Sequence, residues 1–108
     1  MELTQLNQFK KIAEYEKINE AANALYVSSL ALSQSLKRLE DELGCELFDR
    51  SKNSLKLNEK GKLFLEAVND VFSVLDKAMS DLKDMNAEEH KSAFDILMHT
   101  YRIKFRAA

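Results

Sequence analysis

Short polar side chains recur along residues 28–44, a stretch with helical leucine spacing. Serine is a mediocre helix former and a poor filler for an ordinary exposed face. Ser29, Ser33 and Gln34 nevertheless stand there, and their hydroxyl and amide groups both donate and accept hydrogen bonds. Groups this short suit a surface that approaches base edges in the DNA major groove, where each base pair shows its own donor and acceptor pattern. Gln34 is the candidate for a bidentate contact with adenine, and Leu30 for contact with a thymine methyl.

The neighbouring residues of this stretch suit the DNA backbone. Free N–H groups around Ser28, at the start of the helix, suit phosphate oxygens. Lys37 and Arg38, a turn beyond Gln34, suit phosphates or a guanine edge. The acidic residues 40–42 are expected to point away from phosphate. The alternative is that the serines are merely tolerated and that Leu30 packs locally.

A basic stretch follows, with five basic residues between positions 50 and 62 against one acid, Glu59. The apolar pairs 47–48 and 55–57 enclose a polar turn with residues 53–54 near its tip, which predicts two short strands and a hairpin, the wing. Arg50, Lys52 and Asn53 are predicted to reach phosphates or a narrow minor groove. A solvated charged loop is the alternative interpretation.

The composition favours one helical domain and excludes several classes of protein. The 108 residues include 45% hydrophobic and 31% charged residues, two Gly and no Pro. The formal net charge of −2 does not by itself indicate nucleic-acid binding. The single Cys45 rules out an internal disulfide and a multi-cysteine metal site, so we expect no metal and no cofactor. Neither a signal-peptide core nor a membrane-length apolar run is present, so we expect a cytoplasmic protein without membrane contact.

No arrangement of residues in the sequence predicts an enzyme. A glycine-rich phosphate loop, a His-Glu-x-x-His motif and a plausible nucleophile–base pair are all missing from the sequence. His90 and His99 lie near the end of the chain with no fixed geometry between them. We therefore predict a protein that is not an enzyme.

The periodicity predicts three helices before the wing. The first covers residues 3–15, the second covers 20–26 with Asn19 as its N-cap, and the third is capped by Ser28 and ended by Gly44. The third helix is expected to bury four leucines, namely Leu32, Leu36, Leu39 and Leu43. Two helices joined by a short turn, followed by the wing, predict a mainly α fold of the winged helix-turn-helix class.

A long helix is predicted from residue 59 to about residue 85, with Asn58 as its cap and as a further phosphate contact. Apolar residues step along it by alternating fours and threes, the spacing of a coiled-coil seam. The predicted seam consists of Phe64, Val68, Val71, Leu75, Ala78, Leu82 and Met85. Such a stripe favours self-association into a homodimer, or a higher oligomer. The alternative is a long helix folded back on its own domain.

The chain is thus expected to contain a DNA-binding domain (1–58), a linker and dimerisation helix (59–88) and a tail (89–108). In the tail, Phe94, Leu97, Tyr101 and Phe105 have helical spacing, whereas Tyr101, Ile103 and Phe105 alternate as a strand would. Periodicity does not decide between the two.

The segments AANALYVSSLALSQSLKRLEDELGCELFDR and LNEKG resemble the LysR-type family of bacterial transcriptional regulators. The resemblance covers residues 1 to about 88 without insertions, and its most specific parts are Ala21-Ala22, the run 27–50 and Gly61. It implies a winged helix-turn-helix head, a linker helix that pairs in a dimer, and an effector-binding domain. Family proteins usually bind partly palindromic promoter sites on double-stranded DNA and respond to a small-molecule inducer.

The sequence differs from the family pattern at three positions of the third helix. Ser29-Leu30 replaces the usual Gln-Pro pair, and Gln34 replaces a commonly basic residue. The tail is either the start of an effector domain or an extra element. The resemblance therefore implies sequence-specific DNA binding as a dimer. The alternative is a truncated dimerisation partner that modulates a full-length regulator.

Overall fold

A computed structural model describes residues 1–89, and the predicted tail at 90–108 lies outside them. The described part has the predicted mainly α, winged helix-turn-helix architecture. Its elements in chain order are α1 (Leu3–Tyr15), α2 (Ile18–Leu25), α3 (Ser29–Leu43), β1 (Phe48–Ser51), β2 (Ser54–Leu57) and α4 (Glu59–Glu89). The chain divides after Asn69 into two compact units, so α4 contributes to both.

The turn between α1 and α2 is two residues shorter than the sequence indicates, because α2 begins at Ile18 and not at residue 20. Glu16 adopts a left-handed conformation (φ 60°), and its N–H bonds to the carbonyl of Ile12. Lys17 is extended, so α2 begins at Ile18 without a side-chain cap. The prediction that Asn19 caps a helix starting at residue 20 is therefore wrong. Asn19 lies inside α2, and its Oδ1 accepts a 2.7 Å hydrogen bond from the Ser29 hydroxyl.

Both predicted ends of α3 are confirmed. Ser28 Oγ accepts a 3.0 Å hydrogen bond from the Ala31 N–H, as an N-cap does. Gly44 ends the helix in the left-handed region (φ 78°), and its N–H donates to the Glu40 carbonyl at 2.8 Å. A residue with a Cβ adopts this conformation only at a cost, which explains glycine at this position.

The core of the first unit gathers around Phe9. Its ring centroid lies 5.6 Å from that of Phe48 at the base of the wing and 5.3 Å from that of Phe64 in α4. The other buried apolar residues of this unit are Leu6, Ile12, Ala21, Ala22, Leu32, Leu36, Leu39, Leu47, Leu55 and Val68. Truncation of a buried phenylalanine typically costs about 3–5 kcal/mol, so Phe9 is central to the stability of this unit.

The buried face of α3 differs from the predicted leucine stripe in two respects. Leu43 is only half-buried, whereas Ser35 and Glu40 are buried. The Ser35 hydroxyl donates to Gln8 Oε1, and Gln5 Nε2 donates to the Ser35 carbonyl at 3.1 Å. Polar contacts therefore join α1 to α3, and Ser35 is unavailable to an outside partner.

The wing is a two-stranded antiparallel sheet in which Arg50 pairs with Leu55 and Ser51 with Ser54. Its tip is therefore Lys52-Asn53, one residue earlier than expected. Asn53 takes a left-handed conformation (φ 61°), which asparagine tolerates better than most residues.

Gly61 lies where the start of α4 meets the chain that enters the wing. Asn58 Oδ1 accepts from the Gly61 N–H at 2.8 Å, which confirms Asn58 as the cap. Asn58 Nδ2 also donates to the Glu46 carbonyl at 3.0 Å. A Cβ on Gly61 would lie 2.0 Å from the Leu47 carbonyl oxygen, so only glycine permits this approach.

The predicted dimer seam divides along α4. Val68 is only 2% exposed, so its side chain offers no surface to a second copy, and its inclusion in the seam is wrong. Phe64 is half-buried and stacks edge-on against Phe9. Periodicity assigned Phe64 and Val68 to the dimer seam together with the residues after Asn69. A single apolar stripe on a helix has the same spacing whether it packs on its own core or on a second copy.

The second unit contains the part of α4 beyond Asn69, and its apolar residues are largely exposed. The exposed ones are Val71, Val74, Leu75, Met79, Leu82 and Met85, with Ala78 also exposed. Within residues 1–89, no helix is long and apolar enough to cross a membrane. The same residues contain no cluster of His, Cys, Asp or Glu able to hold a metal ion.

Candidate nucleic-acid interface

One face of α3 is free of the core, and the predicted base-reading residues lie on it. Leu30 is 68% exposed, and Ser33 and Gln34 are exposed as well. The opposite face carries the buried Leu32 and Leu36. The helix therefore presents short, uncharged side chains outward, from a position fixed by its own core contacts.

The four serines of this stretch have different roles. Ser28 caps the helix, and the half-buried Ser29 donates its hydroxyl proton to Asn19. Ser35 is buried against α1. Ser33 is the exposed hydroxyl within the helix, and Ser29 retains acceptor capacity at its edge.

The two basic residues of α3 lie on the solvent side. Lys37 Nζ lies 3.7 Å from Asp41 Oδ1, with both side chains more than two-thirds exposed (77% and 68%). Such exposed pairs contribute little, so Lys37 can exchange Asp41 for a phosphate at small cost. Arg38 is also exposed.

A groove runs between α3 and the wing. Ser33, Lys37 and Asp41 line it from the helix, while Cys45 and Arg50 line it from the segment that follows. The half-buried Cys45 thus lies beside the candidate interface. This groove places Arg50 of β1 next to Ser33 and Lys37, two of the predicted DNA contacts of α3.

Arg50, in β1 of the wing, forms an ion pair with Glu40 of α3. Its Nη2 lies 3.4 Å from Glu40 Oε1, and the Arg50 side chain is 55% exposed while that of Glu40 is 8% exposed. Glu40 Oε2 also accepts a 2.7 Å hydrogen bond from the Leu47 N–H. The Glu40 carboxylate therefore turns inward to these two donors, whereas its acidic neighbours Asp41 and Glu42 are exposed.

The wing tip and the start of α2 enclose a second groove. Lys17 and Asn19 line it on one side, and Arg50, Ser51 and Asn53 on the other. Lys52, at the tip, is exposed. Lys17 and Asn19 were not among the candidate DNA contacts predicted from the sequence. The signal available for Lys17 was a basic residue directly before a short helix. The exposed hydroxyl and amide groups of α3 thus lie in one unit with Lys17, directly before α2, and with the basic side chains of the wing.

The family model of bacterial regulatory helix-turn-helix proteins of the lysR family matches residues 3–62. The chain belongs to the lysR family. Among curated lysR-family relatives, the HTH-type transcriptional regulator BsdA of Bacillus subtilis is 36% identical over 89 residues, covering 82% of this chain and 31% of BsdA. The regulator PtxR of Pseudomonas aeruginosa is 34% identical over 88 residues, covering 82% of this chain and 28% of PtxR. The chain thus spans less than a third of the length of these relatives.

Solved structures of lysR-family DNA-binding domains have the same fold. The BenM_DBD complex with catB site 1 DNA superposes with a TM-score of 0.77 at 29% identity, covering 83% of this chain and 97% of that one. The CbnR_DBD–DNA complex gives a TM-score of 0.74 at 28% identity, covering 80% of this chain and 99% of that one. Both structures are protein–DNA complexes.

Proposed function

We propose that this protein binds double-stranded DNA sequence-specifically, with α3 in the major groove, and regulates transcription as a homodimer in the cytoplasm. The proposal assigns it no catalytic role. The observation that carries it is the exposed, uncharged face of α3, which bears Ser33 and Gln34 and lies beside a basic wing. Membership of the lysR family and the two similar domain–DNA complexes support it.

Sequence reading is assigned to the middle of α3. Gln34 carries an amide that matches the adenine edge, and Ser33 carries a hydroxyl that accepts or donates. Leu30 is sufficiently exposed to contact a thymine methyl. These three side chains follow one another at helical spacing, so they would meet successive positions of one groove.

Backbone contacts are assigned to the residues around the reading face. From α3 they involve Ser28, Ser29, Lys37 and Arg38, and from the wing and the start of α4 Arg50, Lys52, Asn53 and Asn58. Both polar ends of the Asn58 side chain are bonded within the chain, so its direct phosphate contact is the weakest of these assignments. Each neutralised phosphate adds to the salt dependence of binding.

The dimer is assigned to the later part of α4. Val71, Leu75 and Leu82 continue the seam spacing, together with Ala78 and Met85, and all five are exposed. A contiguous exposed apolar stripe on a helix marks an interaction surface. A second copy supplies the matching stripe, and two heads held together would read two half-sites.

Selection from a random-sequence duplex library, followed by anisotropy titrations on the enriched duplex and a scrambled one, tests the function. We expect Gln34→Ala to weaken binding to the enriched duplex by about 1–3 kcal/mol and to leave the scrambled duplex unchanged. Lys37→Ala is expected to weaken both duplexes alike, because phosphates carry no sequence.

Asn7→Ala is the matched control, since it removes an exposed amide from α1. Equal losses on both duplexes for Gln34→Ala would remove its base-reading role. Failure of the library to yield any enriched duplex would refute sequence-specific binding.

A further inference from the structure

Glu40 is a buried carboxylate that joins the recognition helix to the wing. It lies near the end of α3, and its two oxygens accept from Leu47 N–H at 2.7 Å and from Arg50 Nη2 at 3.4 Å. Its backbone carbonyl also accepts from the N–H groups of Gly44 and Cys45. One residue thus fixes the chain that leaves α3, the residue before β1 and a side chain within β1.

The burial of Glu40 makes its pairing with Arg50 different from the other ion pairs of α3. A carboxylate that is 8% exposed has lost most of its water, so it depends on its protein donors. The Lys37–Asp41 pair, by contrast, is exposed on both sides. Removing the Glu40 charge therefore affects Arg50 more than removing the Asp41 charge affects Lys37.

Arg50 remains able to bind an outside anion while Glu40 holds it. A guanidinium has five N–H donors in a rigid fork, and the Arg50 side chain is 55% exposed. Arg50 lines the groove that contains Ser33 and Lys37 of α3, and also the groove at the start of α2. Its outward donors thus lie beside the reading face.

We propose that Glu40 is a positioning residue for DNA binding. Its carboxylate orients the Arg50 guanidinium, so that the remaining donors meet one DNA phosphate while α3 occupies the major groove. This inference rests on the proposed function and adds to it a residue that never touches DNA.

Simple electrostatics and positioning predict opposite results for Glu40→Gln. DNA is a polyanion, so the loss of a nearby negative charge should by itself strengthen binding. Glutamine keeps the size of the side chain and an acceptor for Leu47 N–H, but it no longer attracts the guanidinium. Positioning therefore predicts weaker binding, by about tenfold, the size of one charge-assisted hydrogen bond.

The experiment measures affinity of the full chain for the enriched, fluorescein-labelled duplex across a series of salt concentrations. Glu40→Gln and Arg50→Ala should each weaken binding and lower the salt slope by about one ion per protomer, as expected for a lost phosphate contact. The double variant should be no weaker than Arg50→Ala alone, because both changes remove the same contact. Asp41→Asn, the matched control, should bind as well as the unaltered chain or better.

Thermal unfolding by circular dichroism confirms that each variant is folded at the assay temperature. Unchanged or tighter binding by Glu40→Gln overturns the proposal. Weaker binding with an unaltered salt slope also overturns it, because a purely structural role would have that effect. If Arg50→Ala leaves the slope unchanged, no phosphate contact exists for Glu40 to position. Lack of DNA binding by the unaltered chain would instead refute the proposed function itself.

Discussion

The two parts of α4 carry similar apolar side chains in very different surroundings. Before Asn69, Val68 is 2% exposed and Phe64 packs on Phe9. After Asn69, Leu75 is 37% exposed and Leu82 57% exposed. Val68 and Leu75 occupy equivalent positions of one seven-residue repeat. The comparison teaches that a regular apolar repeat indicates burial without indicating which partner provides it.

The largest effect on the stability of the first unit is expected from Val68→Asp. The substitution puts an unpaired charge at a buried apolar position, so the free energy of unfolding should fall by about 4 kcal/mol or more. Urea denaturation followed by circular dichroism measures this loss. Val68→Leu is the control for a changed side chain without a charge, and a small loss for Val68→Asp would contradict burial at this position.

A smaller loss is expected from Gly61→Ala. The added Cβ would lie 2.0 Å from the Leu47 carbonyl oxygen, so the helix and the wing entry must separate. We expect the free energy of unfolding to fall by about 1–3 kcal/mol, despite the better helix propensity of alanine. Ser73→Ala, at an exposed position of α4, is the control. A Gly61→Ala chain as stable as the original would contradict the close approach.

The smallest effect on the stability of the first unit is expected from Leu75→Asp, although it introduces the same charge as Val68→Asp. In the proposed dimer the charge enters an apolar seam, so the protein should become monomeric while its first unit remains folded. Sedimentation velocity measures the oligomeric state, and DNA affinity should fall because two half-sites are no longer linked. An intact dimer for this variant would place the interface elsewhere. If the chain instead associates with a full-length relative more strongly than with a second copy of itself, the alternative function, a dimerisation partner that modulates a full-length regulator, would be favoured.

The local parts of the fold were predictable from the sequence. The bounds of α1, both caps of α3, and Asn58 as the cap of α4 all depend on residues a few positions apart, and periodicity with capping preferences identifies them. Contacts between distant residues were not predictable in this way. Glu40 looked like one acid among three, and its pairing with Arg50 becomes visible only when the wing folds against α3.

The candidate site was predicted unevenly for the same reason. The residues proposed to read bases lie on the face opposite the buried Leu32 and Leu36, so helical geometry alone exposes them. Lys17 and Asn19 line the groove at the wing tip because the turn between α1 and α2 is short. Glu16 adopts a left-handed conformation in this turn, and a glutamate in the sequence does not indicate such a conformation.

The wing is attached to the helices by a backbone contact, in which the Leu55 N–H donates to the Glu16 carbonyl at 2.8 Å. Such a contact is indifferent to the side chain of Glu16, which is exposed. The exposed residues Lys52 and Lys56 also take no part in it. Lys52 and Lys56 can therefore be substituted without loss of this contact, whereas a β-branched residue in place of Glu16 would strain its left-handed backbone. The charge of the wing can thus change while its attachment to the helices stays the same.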